Sequence, residues 1–205
     1  MNRSIYIMLL LLFITKIYGQ DKYLNPCIGL STDIEQIKRY NEDLDKIINS
    51  KLSTNYKVRF IAQPSFSSEY CFQIEKDSLY KIQSIIFQEN LWSSKNRDSV
   101  RFQHFENIIN YNLALKIDDL FDKITSSAMN RNEYFGGGED GQIYIFYKQT
   151  ETGEKNCGEC WSPSEGTPLF ELVSICNTLI NLSKNENSDN TNLNVQIDKL
   201  YNDIE

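Results

Sequence analysis

Between Ile34 and Leu52 the apolar residues Ile34, Ile37, Leu44, Ile47 and Ile48 recur at helical spacing, with charged and amide side chains between them. Thr32 followed three residues later by Glu35 has the form of a capping box, in which hydroxyl and carboxylate each satisfy an otherwise unpaired amide. The period then drops to two. Tyr56 to Ala62 alternates and is β-branched and aromatic, which predicts a strand stopped by Pro64 and a serine-rich turn. In the next run Tyr70, Phe72 and Ile74 share one face, and Cys71, Gln73 and Glu75 share the other. Asp77-Ser78 supplies a turn, and Leu79 to Trp92 reads as a long returning strand.

After a polar loop, Val100 to Phe105 reads as a short strand. From Asn110 the helical spacing resumes in Leu113, Ile117, Leu120, Phe121 and Ile124, flanked by Asp118, Asp119 and Asp122. The glycine-rich stretch 136–141 leads into a strand, Gln142–Gln149, then a turn at Thr152-Gly153 and a return strand to the cysteines of Cys157-Gly-Glu-Cys160. Thr167 and Pro168 form an N-cap with proline at the first helical position, opening a helix that runs to about Leu182. The polar run after Ser183 has too few apolar residues to pack. The final amphipathic piece, from Val195 to Ile204, is expected either to dock as a short helical turn or to stay loose.

Strands joined by short turns pair antiparallel. The expected fold is therefore α+β: a two-layer sandwich of about five antiparallel strands, with three helices mainly on one face, in the order αβββα-ββα. It occupies residues 20–183 as a single domain, with a polar C-terminal tail over 184–205.

The N-terminus adds a destination. Arg3, an apolar run from Ile5 to Ile14, and small Gly19 before Gln20 have the layout of a secretory signal peptide over residues 1–19. The run is about half of the ~20 apolar residues a membrane span needs, so an uncleaved anchor is the weaker reading. The mature chain is expected to be soluble, secreted or periplasmic, without an integral membrane segment. Processing removes Arg3 and Lys16 from the 21 basic residues and none of the 28 acidic ones, so the formal charge goes from −7 to −9. With that charge and no basic cluster, nucleic acid is excluded as a partner.

Candidate chemistry centres on Cys157 and Cys160. A redox CxxC needs a helix N-terminus directly behind it to activate the thiolate. Here Trp161-Ser162-Pro163 intervene and the helix waits for Pro168. A zinc site needs four ligands, and the chain has one CxxC and a single histidine, His104. In an oxidising compartment this leaves a structural Cys157–Cys160 disulfide, with two thiols as the runner-up. Cys176 falls on the apolar stripe of the last long helix and reads as the odd, buried cysteine, which leaves Cys27–Cys71 as the second pair. No metal and no cofactor are expected.

The glycine run lacks the lysine of a phosphate loop and the repeats of a calcium β-roll. His104 reads as a packed or edge-strand residue, and no G-x-S-x-G elbow accompanies it. The strand Gln142–Gln149 is apolar on both faces, so it is either central or exposes aromatics to a partner. These readings converge on an exported, non-catalytic domain that binds a protein or cell-envelope ligand through Tyr144, Phe146 and Trp161. The rival is a small secreted hydrolase or thiol-redox enzyme using His104 or Cys157 and Cys160.

Overall fold

A computed structural model describes residues 22–27, 34–129, 141–185 and 190–204. The proposed leader, Thr32 and most of the glycine-rich stretch lie outside these residues.

In chain order the elements are β1 (Asn25–Pro26), α1 (Glu35–Lys51), β2 (Val58–Pro64), β3 (Tyr70–Lys76), β4 (Tyr80–Phe87), a 3-10 turn (Arg97–Ser99), β5 (Phe102–Ile109), α2 (Tyr111–Met129), β6 (Gln142–Gln149), β7 (Lys155–Trp161), α3 (Pro168–Ser183) and α4 (Asn190–Asp203). The strands form one sheet in the order β1-β7-β6-β2-β3-β4-β5, antiparallel throughout. The α+β class and the antiparallel pairing hold. Among the described residues the sheet has seven strands rather than about five, and there are four helices rather than three.

The expected two-layer arrangement is replaced by three layers. Tyr40, Leu44 and Ile48 of α1 pack with Leu52 on Ile61, Cys71, Ile85 and Ile145, on one face of the sheet. Helices α2, α3 and α4 cover the other face, where Phe60, Phe72 and Phe146 meet Phe121 and Leu172. Period alone locates an apolar stripe on a helix but not the face of the sheet it meets, and α1 takes the face opposite the other three helices.

The element ends show which local forces prevailed. Ile34 is the N-cap of α1 and makes no side-chain cap bond, and Glu35 is the first helical residue. β4 ends at Phe87 rather than Trp92 because the buried Glu69 carboxylate accepts hydrogen bonds from the amides of Leu91 (2.8 Å) and Trp92 (3.3 Å) and holds that segment in a loop. At α3 the Thr167 hydroxyl accepts from the Phe170 amide, and Pro168 follows it, as read from the sequence.

The C-terminal segment is no loose tail. Leu193, Ile197, Leu200 and Ile204 are 0–2% exposed and complete the core between α2 and α3. Its asparagine-rich composition dilutes the apolar residues, but their spacing keeps one continuous stripe. An ion pair from Lys116 to Asp198 and a bond from Lys123 Nζ to the Tyr201 carbonyl dock it on α2.

Leu120 on α2 and Leu172 on α3 are fully buried in this core. Leu120→Ala and Leu172→Ala should each cost about 2–5 kcal/mol, through lost transfer energy and an unfilled cavity. Equilibrium denaturation with urea measures this, and unchanged midpoints in both variants would contradict the placement of the two stripes.

Candidate functional site

The register of β6 decides the fate of the aromatic face. Tyr144 and Phe146 sit opposite Ala62 and Phe60 and point into the α2–α3 layer, where they are 8% and 0% exposed. Trp161 pairs with Ile143 and so lies on the opposite face, its ring packed so closely on Gly141 that a Cβ there would sit 2.5 Å from it. The three residues cannot form one binding surface, and the reading of β6 as a central, doubly covered strand prevails.

The cysteines are corrected on the same geometric ground. β7 is extended from Lys155 to Trp161, so Cys157 and Cys160, an odd number of residues apart, point to opposite faces. The Pro26–Gly158 register instead brings Cys27 beside Cys157, and these two form the disulfide, with Cα atoms 5.5 Å apart. Cys27–Cys71 fails too, because β7, β6 and β2 separate β1 from β3. Cys71, Cys160 and Cys176 remain as buried thiols. Burial pushes the Cys71 thiol up to about 12, against the pull of Arg59, and lifts Cys176 well above the usual thiol range. Thiols held protonated in this way are poor nucleophiles.

His104 lies exposed on β5, with β4, β3, β2 and β6 between it and β7. No nucleophile–base pair is assembled between it and the cysteines. Of the three α2 aspartates, Asp118 turns inward and holds the buried Lys148 ammonium at 2.9 Å. Among the described residues, no group of three or more His, Cys, Asp or Glu side chains converges as a metal site.

Two features of the α1 side were not read from the sequence. The first is a polar row across the sheet. Arg59 on β2, Gln73 on β3, Gln83 on β4 and Glu106 on β5 are directly opposite one another in successive pairings. Arg59 donates to Gln73 Oε1 (2.7 and 3.1 Å), Gln73 to Gln83 Oε1 (3.4 Å), and Gln83 to Glu106 Oε2 (2.7 Å). The guanidinium also bonds Asn49 Oδ1 and the Ser53 carbonyl beyond α1, and it stacks on Tyr56 at 4.2 Å. Its donors are thus engaged in fastening the end of α1 to the sheet.

The second is a cleft of about 230 Å³ between α1 and the strands β2 and β6. Ile61 and Ile145 form its floor, Gln63 and Tyr147 its strand side, and Lys38, Asn41, Glu42 and Asp45 its helix side. Asn41 Oδ1 accepts from Gln63 Nε2 at 3.3 Å, while its Nδ2 is shut off from bulk water without any hydrogen-bond partner. A buried donor left unpaired costs roughly 1–3 kcal/mol, so such groups mark places where a water or a ligand belongs. Burial raises the Asp45 pKa, opposed by Arg59 and Lys155. The Tyr147 phenol is raised by burial first and then by Asp45, so it keeps its proton and can donate. Residues 38, 41, 42 and 45 follow one helical flank, a pattern that in sequence reads as solvated surface.

The sulfur chemistry is directly testable. Peptide mapping under non-reducing conditions should find Cys27 joined to Cys157, and alkylation of the native protein should leave Cys71, Cys160 and Cys176 unmodified until denaturant is added. Rapid native alkylation of Cys160, or a Cys157–Cys160 link, would overturn this arrangement.

Compared with known proteins, the chain matches no protein-family model, no curated protein and no solved structure at a significant level.

Proposed function

We propose that the protein is an exported, non-catalytic binding domain, secreted or periplasmic and soluble once residues 1–19 are removed. It takes a polar group of a protein or cell-envelope ligand into the cleft between α1 and β2–β6. The observation that carries this reading is the unpartnered Asn41 amide at a cleft rimmed by Gln63, Tyr147 and charges of both signs. Donors and acceptors around an apolar floor orient a ligand. The cleft volume suits a side chain or a single sugar unit of something larger.

Hydrolysis is disfavoured by the placement of the two carboxylates. Glu42 and Asp45 stand one turn apart on a single helix and would meet a bound group from the same side. Glycosidases need carboxylates flanking the scissile bond. Export is supported by the Cys27–Cys157 bridge, a kind of bond that persists in oxidising compartments. No described helix is long and apolar enough to cross a membrane.

Two measurements test the reading. N-terminal sequencing of the exported fraction should find a chain starting at Gln20 or within a residue or two of it, and intact Met1 in membranes would contradict export. Separately, backbone amide NMR during titration with solubilised envelope oligosaccharides and stem peptides should shift Asn41, Gln63 and Tyr147. Asn41→Leu should abolish those shifts while leaving the thermal midpoint unchanged or raised. Shifts confined to other parts of the molecule would eliminate the cleft.

A further inference from the structure

We propose that β5 is an interface between two copies of this chain, which pair antiparallel about Phe105 and join their sheets edge to edge. β5 ends the sheet, and among the described residues only β4 pairs with it. Its free edge is long. The bond from the Gln88 amide to the Arg101 carbonyl fixes the parity: residues 101, 103, 105, 107 and 109 direct their backbone groups to β4, and Phe102, His104, Glu106 and Ile108 direct theirs outward. The Ile108 amide is already taken by Asn107 Oδ1 at 2.8 Å, so the outward groups left for a partner belong to Phe102, His104 and Glu106, with the Ile108 carbonyl. Eight residues of open edge are a ready template for another strand.

The choice of a second copy as that strand comes from the sequence of the edge. Phe102-Gln-His-Phe-Glu-Asn-Ile108 is chemically self-complementary about its middle residue. With a twofold axis at Phe105, Phe102 faces Ile108 of the second copy, Gln103 faces Asn107, His104 faces Glu106, and Phe105 faces itself. Apolar thus meets apolar, amide meets amide, and an imidazole meets a carboxylate. Cross-strand pairs of these kinds are what stabilise a sheet. Shifting the axis to His104 sets Phe102 against Glu106 and Gln103 against Phe105, and shifting it to Glu106 sets the two carboxylates against each other. One register is therefore preferred. In it His104 and Glu106 of opposite copies exchange both backbone bonds, and Ile108, 58% exposed in the monomer, gains an aromatic neighbour.

The parity of this register also gives a chemical signature. Phe105 directs its backbone to β4, so across the new interface it forms a non-hydrogen-bonded pair, with Cα atoms about 4.5 Å apart. Two cysteines at such a site can join.

Sedimentation velocity of the purified protein should show a concentration-dependent dimer. His104→Pro deletes an outward amide without touching the β4 ladder, as edge strands permit. It should raise the dimer dissociation constant about tenfold or more, with circular dichroism and thermal midpoint retained. Phe105→Cys should yield a disulfide-linked dimer under mild oxidation, whereas Gln103→Cys, facing Asn107 of the other copy, should not. A chain that stays monomeric at every accessible concentration would overturn the proposal. So would a dimer indifferent to His104→Pro, or equal cross-linking at positions 103 and 105.

Discussion

The pairing of β2 with β6 is the constraint on which most of the molecule depends. Val58 to Pro64 sits between β3, its neighbour in sequence, and β6, which follows almost eighty residues later. Phe60 is the hub of this junction: its ring lies 5.2–6.2 Å from those of Tyr70, Phe72, Tyr144 and Phe146. A slip by one residue would exchange the faces of the whole strand, moving Phe60 towards α1 and Arg59 into the phenylalanine cluster. The same parity carries Tyr147 onto the cleft side and, one strand further, Cys157 onto the side where Cys27 arrives. Core, cleft and disulfide are consequences of one register.

Burying charge in such a sheet requires that every partner be in place. Arg59 meets this with Gln73, Asn49, the Ser53 carbonyl and the Tyr56 ring, and Glu69 meets it with the Tyr40 hydroxyl and two loop amides. Both groups act as fasteners, one at each end of α1. Arg59 holds the C-terminal end, while Glu69 reaches Tyr40 nearer the N-terminal end and fixes the loop containing Trp92. Against this background the Asn41 amide stands out. A chain that satisfies two fully buried charges leaves a neutral donor unpaired where the helix lifts off the sheet. That contrast separates the cleft from the structural polar groups around it.

Local elements were largely legible in the sequence, and their assembly was not. The strands from Tyr56, Tyr70 and Gln142, and the Thr167–Pro168 helix start, follow from period and capping chemistry. Nothing local to Asp118 announces its partner Lys148, which reaches it from β6. Cys157-Gly-Glu-Cys160 drew attention as a motif, yet a CxxC has its familiar meaning only where the chain turns, and here the chain is extended. The true partner is 130 residues away, a distance that spacing rules do not span. The cleft was hidden for the same reason: its floor comes from β2 and β6, and its wall comes from the polar flank of α1.

The cleft and the β5 edge are on opposite sides of β3 and β4, so occupation of one does not obstruct the other. An antiparallel twofold between edge strands places the axis normal to the sheet, which keeps equivalent faces on the same side. His104 can meet Glu106 of the second copy only in that arrangement. Both α1 helices, and both clefts, would then look in one direction across a continuous sheet. A single cleft of this size has room only for a small group of the proposed ligand. In the proposed dimer, two such clefts, rigidly spaced and facing one repetitive polymer, would make the second contact intramolecular and strengthen binding without new chemistry. An envelope polymer, with its repeating polar units, is the kind of ligand for which that geometry has an advantage over a lone pocket.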